Sequence, residues 1–383
     1  MKVLSIGMDR KLFEEGSSVL ERSKEYAEKM EELHIVVFSL QRHNLLYKKY
    51  QNLHIYPTNS YSRITFLFGA YFLGKKIIEE NNFLTSRSII TVQDPMTIVG
   101  YCLSKKFKLP IQLQIHTDIF NSNFKKSLIG FGNFWYSGLV QVPLTTYFLP
   151  RVSGIRVVSQ SIKDSILTKF SFLDRKIEVL PIYVDINHLI SSYPGRDIKK
   201  DFPGFNSIIL MASRLSKEKR IDIALNSFKK VLSKFPLAGL VICGEGLERE
   251  NLIVKAKELD ISKSVVFLPW QSDLMSYYKT CDVFLLTSEY EGYGMTLIEA
   301  GASGCPVVTT KVGVANSNLF EDGRNSYVCE INDTDCLSEK ITILLDNNTK
   351  RDDFKRNLQK NIKNYSKTKE EYVDQYVSLL EKL

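Results

Sequence analysis

Long apolar runs are missing from this 383-residue chain. No uninterrupted apolar stretch reaches the roughly 18 residues that a spanning helix needs, so no spanning helix is expected. The opening, Met1-Lys-Val-Leu-Ser-Ile-Gly7, reads as a core strand. Its apolar run is too short for a signal peptide, and no cleavage site follows. Cysteine is scarce and scattered, at 102, 243, 281, 305, 329 and 336, with no Cys-x-x-Cys pair. That spacing argues against a zinc site, and Cys243, Cys281 and Cys305 fall in or beside apolar strands. Buried, reduced thiols of a cytoplasmic protein are therefore expected. Internal repeats, low-complexity tracts and recognised nucleic-acid modules are also missing, so no nucleic-acid partner is expected.

What is there is unevenly charged. Residues 1–182 hold 24 Lys and Arg against 15 Asp and Glu, a balance of +9, while the remainder holds 27 against 28, so that the whole carries +8. A basic first half suits an anionic surface or acceptor met by that half alone. Aromatics accompany the charge. The stretch Lys125–Val140 sets two lysines beside Leu128, Ile129, Phe131, Phe134, Trp135 and Tyr136, a composition that could lie in a membrane interface or form a core helix. The similar stretch Tyr61–Lys76 reads as an ordinary buried helix. The expected location is cytoplasmic, peripheral to the inner face of a membrane.

Strand and helix signals alternate, the pattern of doubly wound parallel sheets. Strands are expected at Lys2–Ile6, Ile35–Ser39, Leu53–Tyr56, Ser88–Val92, Ile111–Ile115, Gly154–Val158 and Ile177–Leu180. The pattern restarts at Ser207–Ala212, then at Leu240–Cys243, Val265–Leu268, Val283–Leu286 and Val307–Thr309. Between the halves, Ser191–Gly204 is rich in Pro, Gly and charge, as linkers are. Two domains, 1–182 and 183–365, follow, with the join near Pro181–Asp185. The last segment, 366–383, spaces Val373, Tyr376, Val377, Leu380 and Leu383 as an amphipathic helix does.

The densest chemistry lies in Ser288–Thr309. A strand leads into a glycine-bearing turn and then a helix from Met295 to Ser303, with Glu291 in the loop and Glu299 about one turn inside the helix. That geometry leaves helix N–H groups unpaired above a strand end. Gly292 and Gly294 let the backbone approach a bulky anion, and the carboxylates accept hydrogen bonds from hydroxyls. A nucleotide sugar offers hydroxyls at both ends and a diphosphate between.

The segment resembles the Glu-x7-Glu signature of the family 4 retaining glycosyltransferases, of GT-B architecture. The resemblance implies an α/β fold of two Rossmann-like, doubly wound domains facing each other across a cleft, with the terminal helix packed back on the first. It implies that Glu291 contacts the transferred sugar, Glu299 the ribose, and the run Gly292, Tyr293, Gly294, Met295 and Thr296 the donor, its backbone at the diphosphate. Arg214 and Lys219 resemble the family's diphosphate clamp, where fixed cations would stabilise charge on the leaving phosphate. Gly244 and Gly246 look like a loop turning against the nucleotide. The family usually has Gly where Arg220 and Trp270 stand, which leaves the donor's base open.

In the first domain His116 resembles a family histidine that faces the transferred sugar, and Asp118 would orient it or cap the next element. His34, His43, His54 and His188 read as structural or exposed. Arg10 and Gly16 lie in loops at the place of the family's glycine-rich loop, without its Gly-Gly pair, and Gln93 and Asp94 before Pro95 are possible acceptor contacts. Asp333-Thr-Asp335 resembles a metal-binding Asp-x-Asp but sits where a helix N-cap belongs, so neither metal nor other cofactor is expected. The reading is a retaining glycosyltransferase acting by front-face attack, its acceptor a lipid-linked or cell-surface glycan intermediate. A sugar-nucleotide epimerase, an inverting transferase and a non-catalytic sugar-nucleotide-binding protein stay open as alternatives.

Overall fold

The computed structural model describes residues 1–62, 65–94, 96–121 and 138–383. These described residues divide into two compact units: those within 1–120, 138–181 and 367–383 form the first, and residue 121 with those within 182–366 the second. Two doubly wound α/β units in one chain are the GT-B class of fold.

Among the described residues the first unit is built on eight strands: β1 Lys2–Gly7, β2 Glu32–Val37, β3 Lys48–Tyr50, β4 Leu53–Pro57, β5 Ser88–Gln93, β6 Ile111–Ile115, β7 Gly154–Val157 and β8 Ile177–Val179. They lie in the order β3-β4-β2-β1-β5-β6-β7-β8, all parallel except β3, which runs antiparallel to β4. Near-continuous burial along β1, β2, β5 and β6 marks strands covered on both faces. Two corrections to the sequence reading arise here. β3 carries Lys48, Lys49 and Tyr50, an edge strand without the apolar run that reveals central ones. β2 begins at Glu32, ahead of its apolar stretch, and ends at Val37 rather than Ser39.

The helix Lys369–Glu381 belongs to this first unit. Gln114 Nε2 donates to Tyr376 Oη at 3.0 Å, Arg156 Nη2 donates to Tyr372 Oη at 2.8 Å, and Tyr372 Oη donates to the Pro181 carbonyl at 2.8 Å. The Tyr26 and Tyr376 rings stack with centroids 4.4 Å apart. Thr368 and Glu371 close a capping box at its start.

The second unit has six parallel strands: β9 Ser207–Ala212, β10 Ala238–Cys243, β11 Val265–Leu268, β12 Val283–Leu286, β13 Val307–Thr310 and β14 Tyr327–Cys329, in the order β11-β10-β9-β12-β13-β14. β14 escaped the sequence reading, its three residues being too short for a periodicity. The helices Ile221–Leu232 and Thr334–Asp346 cover one face, with Phe228, Val231, Leu337, Ile341 and Leu344 in the core with Leu240, Ile242 and Leu285.

The thiol expectation also needs correcting, because Cys329 and Cys336 form a disulfide. Cys329 ends β14 and Cys336 lies in the first turn of the following helix, so the intervening turn brings their Cα atoms within 5.9 Å. Cys243, Cys281 and Cys305 are buried free thiols, as read. Among the described residues, no helix is long and apolar enough to cross a membrane.

Candidate active site

Strand order reverses in the second unit between β9 and β12, and doubly wound sheets hold ligands above the strand C-termini at such a reversal. Two loops flank that point, residues 213–220 after β9 and residues 287–294 after β12. Thr287 stitches them together: its Oγ1 lies 3.0 Å from the Lys219 carbonyl and 2.9 Å from that of Arg220. The amide of Glu289 adds a 2.9 Å bond to the Glu218 carbonyl. Behind them, Thr310 Oγ1 at the end of β13 donates to the Ser288 carbonyl at 2.6 Å.

On this frame Lys219 Nζ meets Glu291 Oε1 at 2.6 Å, both side chains largely buried. Ser288 Oγ donates to the same oxygen at 2.7 Å. Glu291 is therefore an oriented, ion-paired carboxylate. Gly294, at φ 96°, opens the helix Met295–Ala302 with no side-chain cap, so the first-turn amides of Met295 and Thr296 are backbone donors at the strand end. Tyr293 is buried, and its carbonyl accepts from the Val314 amide at 2.7 Å.

Glu299 stands in a different environment. Burial pushes its carboxyl up to about 7, and the hydrogen bond it receives from Tyr278 Oη, 3.4 Å away, opposes that rise. Tyr278 is itself fully buried, edge-on to Phe284. Among the described residues no cation within 4.0 Å pairs with Glu299.

The structure separates the two expected clamp residues. Lys219 is inside, on Glu291, whereas the Arg214 side chain is 75% exposed with one nitrogen 3.3 Å from the buried Glu218 carboxylate. Arg220 adopts the left-handed conformation at φ 46°, which costs a residue with a Cβ more than it costs glycine. Its guanidinium is held by Asp222 at 3.1 Å and by Asn332 Oδ1 at 2.5 Å. Those bonds account for Arg where the family usually has Gly.

Gly244 and Gly246 serve loop packing. A Cβ at Gly244 would collide with the Ser213 carbonyl, and one at Gly246 with the carbonyl of Leu215. Their absence lets the Leu215 amide reach the Glu245 carbonyl at 2.8 Å. Gly313 was missed from the sequence: at φ 50° it lies where a Cβ would stand 2.6 Å from the Tyr293 carbonyl and 2.8 Å from Glu291 Cβ. Its signal was available, a glycine three residues after the apolar strand that ends at Thr310. Trp270, after β11, is exposed. Asp333 caps the helix Thr334–Asp346 through a 2.9 Å bond from the Cys336 amide, and Asp335 pairs with Lys230 at 2.6 Å.

In the first unit strand order reverses between β1 and β5. Gln93 packs there so closely that a Cβ on Gly7 would lie 2.9 Å from its Oε1. Asp94 is half-buried, accepts from Thr145 Oγ1 at 3.4 Å, and is raised to about 6 by desolvation of its carboxyl. His116 follows β6. Burial, then the Arg156 and Arg22 charges, pull its imidazole down to about 3, and its buried Nε2 has no partner among the described residues. Asp118 Oδ1 accepts from the Phe120 amide at 3.1 Å and Ser165 Oγ at 2.8 Å, which is a capping arrangement. Arg10 lies in an exposed 3-10 turn with Nη1 2.7 Å from His43 Nε2, and Gly16 supplies a positive φ of 73° in open space. Pro95 lies outside the described residues.

Glu32, His34 and His54 bring three potential ligand atoms within 4.8 Å of one another. The two imidazoles stack with planes 9° apart, so their lone pairs lie in near-parallel planes and converge poorly on one ion. Lys2 Nζ already stands 2.9 Å from Glu32, and burial lowers His34 to about 4. The group reads as a structural network.

Residues 197–361 match the family described as glycosyl transferases group 1, so the resemblance drawn from the Glu291–Glu299 segment holds at that level. The structure of Anabaena HepE in complex with UDP and glucose has a TM-score of 0.77 to this chain, with 18% identity and 100% of each chain covered. An uncharacterised glycosyltransferase of Haemophilus influenzae is 34% identical over 142 residues, 37% of this chain and 40% of that protein. The Campylobacter jejuni N-acetylgalactosamine-N,N'-diacetylbacillosaminyl-diphospho-undecaprenol 4-alpha-N-acetylgalactosaminyltransferase is 24% identical over 234 residues, 61% of this chain and 62% of that enzyme. The matched stretches thus span less than two thirds of either relative.

Proposed function

We propose that this chain is a retaining, metal-independent glycosyltransferase that moves a sugar from a nucleotide diphosphate to a hydroxyl of a lipid-linked or cell-surface glycan intermediate. One observation carries the reading: a buried Lys219–Glu291 pair beside an uncapped helix start, above the point where strand order reverses. The first-turn amides and Lys219 face the charge that builds on a leaving diphosphate, with Arg214 as the outer cation. Glu291 holds a hydroxyl of the sugar, and Glu299 a ribose hydroxyl. The anomeric carbon–oxygen bond to phosphate breaks, the acceptor oxygen bonds the same face of that carbon, and the acceptor proton passes to the departing phosphate. The first unit, through His116, Gln93 and Asp94, serves the acceptor side. Occupation of Asp333 and Asp335 by a helix cap and an ion pair supports a reaction without metal.

Two comparisons favour the substrate classes. Anabaena HepE was solved with UDP and glucose, and the Campylobacter relative is named for a diphospho-undecaprenol acceptor. The test is a nucleotide-sugar screen by thermal shift, then mass spectrometry of products and NMR of the anomeric linkage. Glu291→Ala should bind nucleotide yet fail to transfer. Near-normal turnover by that variant rejects the role, and an inverted anomer rejects retention.

A further inference from the structure

We infer that one edge of the first unit, built from residues 38–47 after β2, residues 58–62 after β4 and the first turns of the helix Phe66–Glu80, seats on an anionic lipid bilayer. The inference rests on the transferase reading only for its purpose, the presentation of a lipid-linked acceptor. Its basis is a fringe of bulky apolar side chains facing water: Leu46 is 76% exposed, Tyr61 84%, Phe68 65% and Phe72 62%.

These residues belong to one connected edge. The Ser60 amide donates to the Ser39 carbonyl at 2.8 Å and the Gln41 amide to the Ser60 carbonyl at 3.1 Å, which joins the two loops. Gly69 in the helix lies against Ser60, and the Phe38 and Phe66 rings meet with centroids 3.9 Å apart. Tyr47, beside Leu46, packs on Tyr56 at the end of β4. Phe68 and Phe72 are one turn apart on the outer face, while Phe66, Ala70, Gly74 and Ile77 face inward. The expectation of an ordinary buried helix over Tyr61–Lys76 is corrected here, because Phe68 and Phe72 face water. Its apolar residues run all round the first turns, so periodicity could not mark the outer side, and the fold leaves that side uncovered by described residues.

Charge selects the occupant. Arg10, Lys11 and Arg42 are exposed in the loops after β1 and β2, at the same strand ends, and His43 bonds Arg10. Residues 8–17 and 41–49 contain five Lys and Arg against three acidic residues, of which Glu15 is engaged by Lys48. Apolar side chains ringed by cations suit the acyl boundary and phosphates of an anionic bilayer. Further along the helix Lys75 and Lys76 pair with Glu79 and Glu80, so the apolar stripe ends at Phe72 and only the strand-end tip enters lipid. Gln93, Asp94 and His116 lie at that same C-terminal end of the sheet, at the ends of β5 and β6, on the side where a membrane-held acceptor head group would arrive.

The test is co-sedimentation of the full chain with phosphatidylcholine vesicles, with and without phosphatidylglycerol. Wild type should bind the anionic vesicles, more weakly in high salt. Leu46→Ser/Tyr61→Ser/Phe68→Ser/Phe72→Ser should bind about tenfold more weakly or worse. Thermal melting confirms its fold, and Phe68→Ser/Phe72→Ser alone replaces it should the fourfold variant unfold. Absence of wild-type binding, or equal binding by the variants, overturns the inference. UDP calorimetry on the same proteins reads the donor site separately. Vesicle binding without binding of any nucleotide in a panel of UDP, GDP, ADP, CDP and dTDP would sink the transferase reading and leave the lipid edge standing.

Discussion

The strands of the first unit bury Lys2, His34, His54, Thr91, Gln112, Gln114 and Arg156, whereas those of the second bury only Thr309 and Thr310 among such groups. Both units use parallel strands covered on both faces, yet one interior is a polar network and the other nearly dry. In the first, Arg156 donates to the Leu180 and Pro181 carbonyls and to Tyr372, joining strand, chain crossing and terminal helix. In the second, a polar cluster sits in the loops at the strand ends, where Thr287, Ser288, Lys219 and Glu291 hold one another. A dry sheet with a polar rim suits chemistry placed at the rim. The polar interior of the first unit fixes a terminal segment, with its consequences in stability.

The difference can be broken most sharply at Glu291. Glu291→Gln keeps the shape but removes the charge opposite Lys219, and transfer should fall about 100- to 1,000-fold, the scale of losing one preorganised electrostatic group. Steady-state kinetics checks this, with folding unchanged by circular dichroism. Arg156→Met should do the reverse, destabilising the first unit by about 1–3 kcal/mol because buried acceptors lose their donors. Urea denaturation reads that loss, and nucleotide affinity should stay as it was. Equal damage to nucleotide binding would erase the contrast between the units.

A smaller effect comes from Glu299. Its carboxyl titrates near 7, and only the ionised form accepts fully from ribose hydroxyls, so donor affinity should rise a few-fold from below to above that pH. The sign for stability is opposite. The folded state holds its proton to higher pH than the unfolded chain, so this group's contribution falls as pH climbs from the ordinary glutamate range through about 7. Tyr278→Phe removes the one described donor and should move the affinity midpoint upward. Calorimetry across pH decides, and a flat profile discards the role. Smallest of all, Asp333→Ala should cost about 1 kcal/mol as a lost N-cap and leave transfer untouched, with chelator equally without effect.

Much of this was legible in order along the chain. The run from Val283 to Glu299 showed its strand, glycine turn and helix start because all three are contiguous, and the alternation of strands revealed the fold class. Lys219 was named from its place after β9, but its bond to Glu291 joins positions 72 residues apart. Gly244 and Gly246 were seen as turn residues, while their actual contact, the backbone of the loop after β9, belongs to a neighbouring strand. The stretch 125–137 lies outside the described residues, and the lipid-facing reading moved to Phe68 and Phe72.

Local pattern determined the central strands, the dry β9–β13 interior, the N-cap at Asp333 and the placement of two glutamates in and after a strand-end loop, because each depends on residues within a few positions of one another. Tertiary structure alone decided which cation meets Glu291, why Glu299 holds its proton, which side of an all-round apolar helix faces water, and which two cysteines pair. Those outcomes depend on distance and burial across the fold, and residue spacing along a chain carries neither.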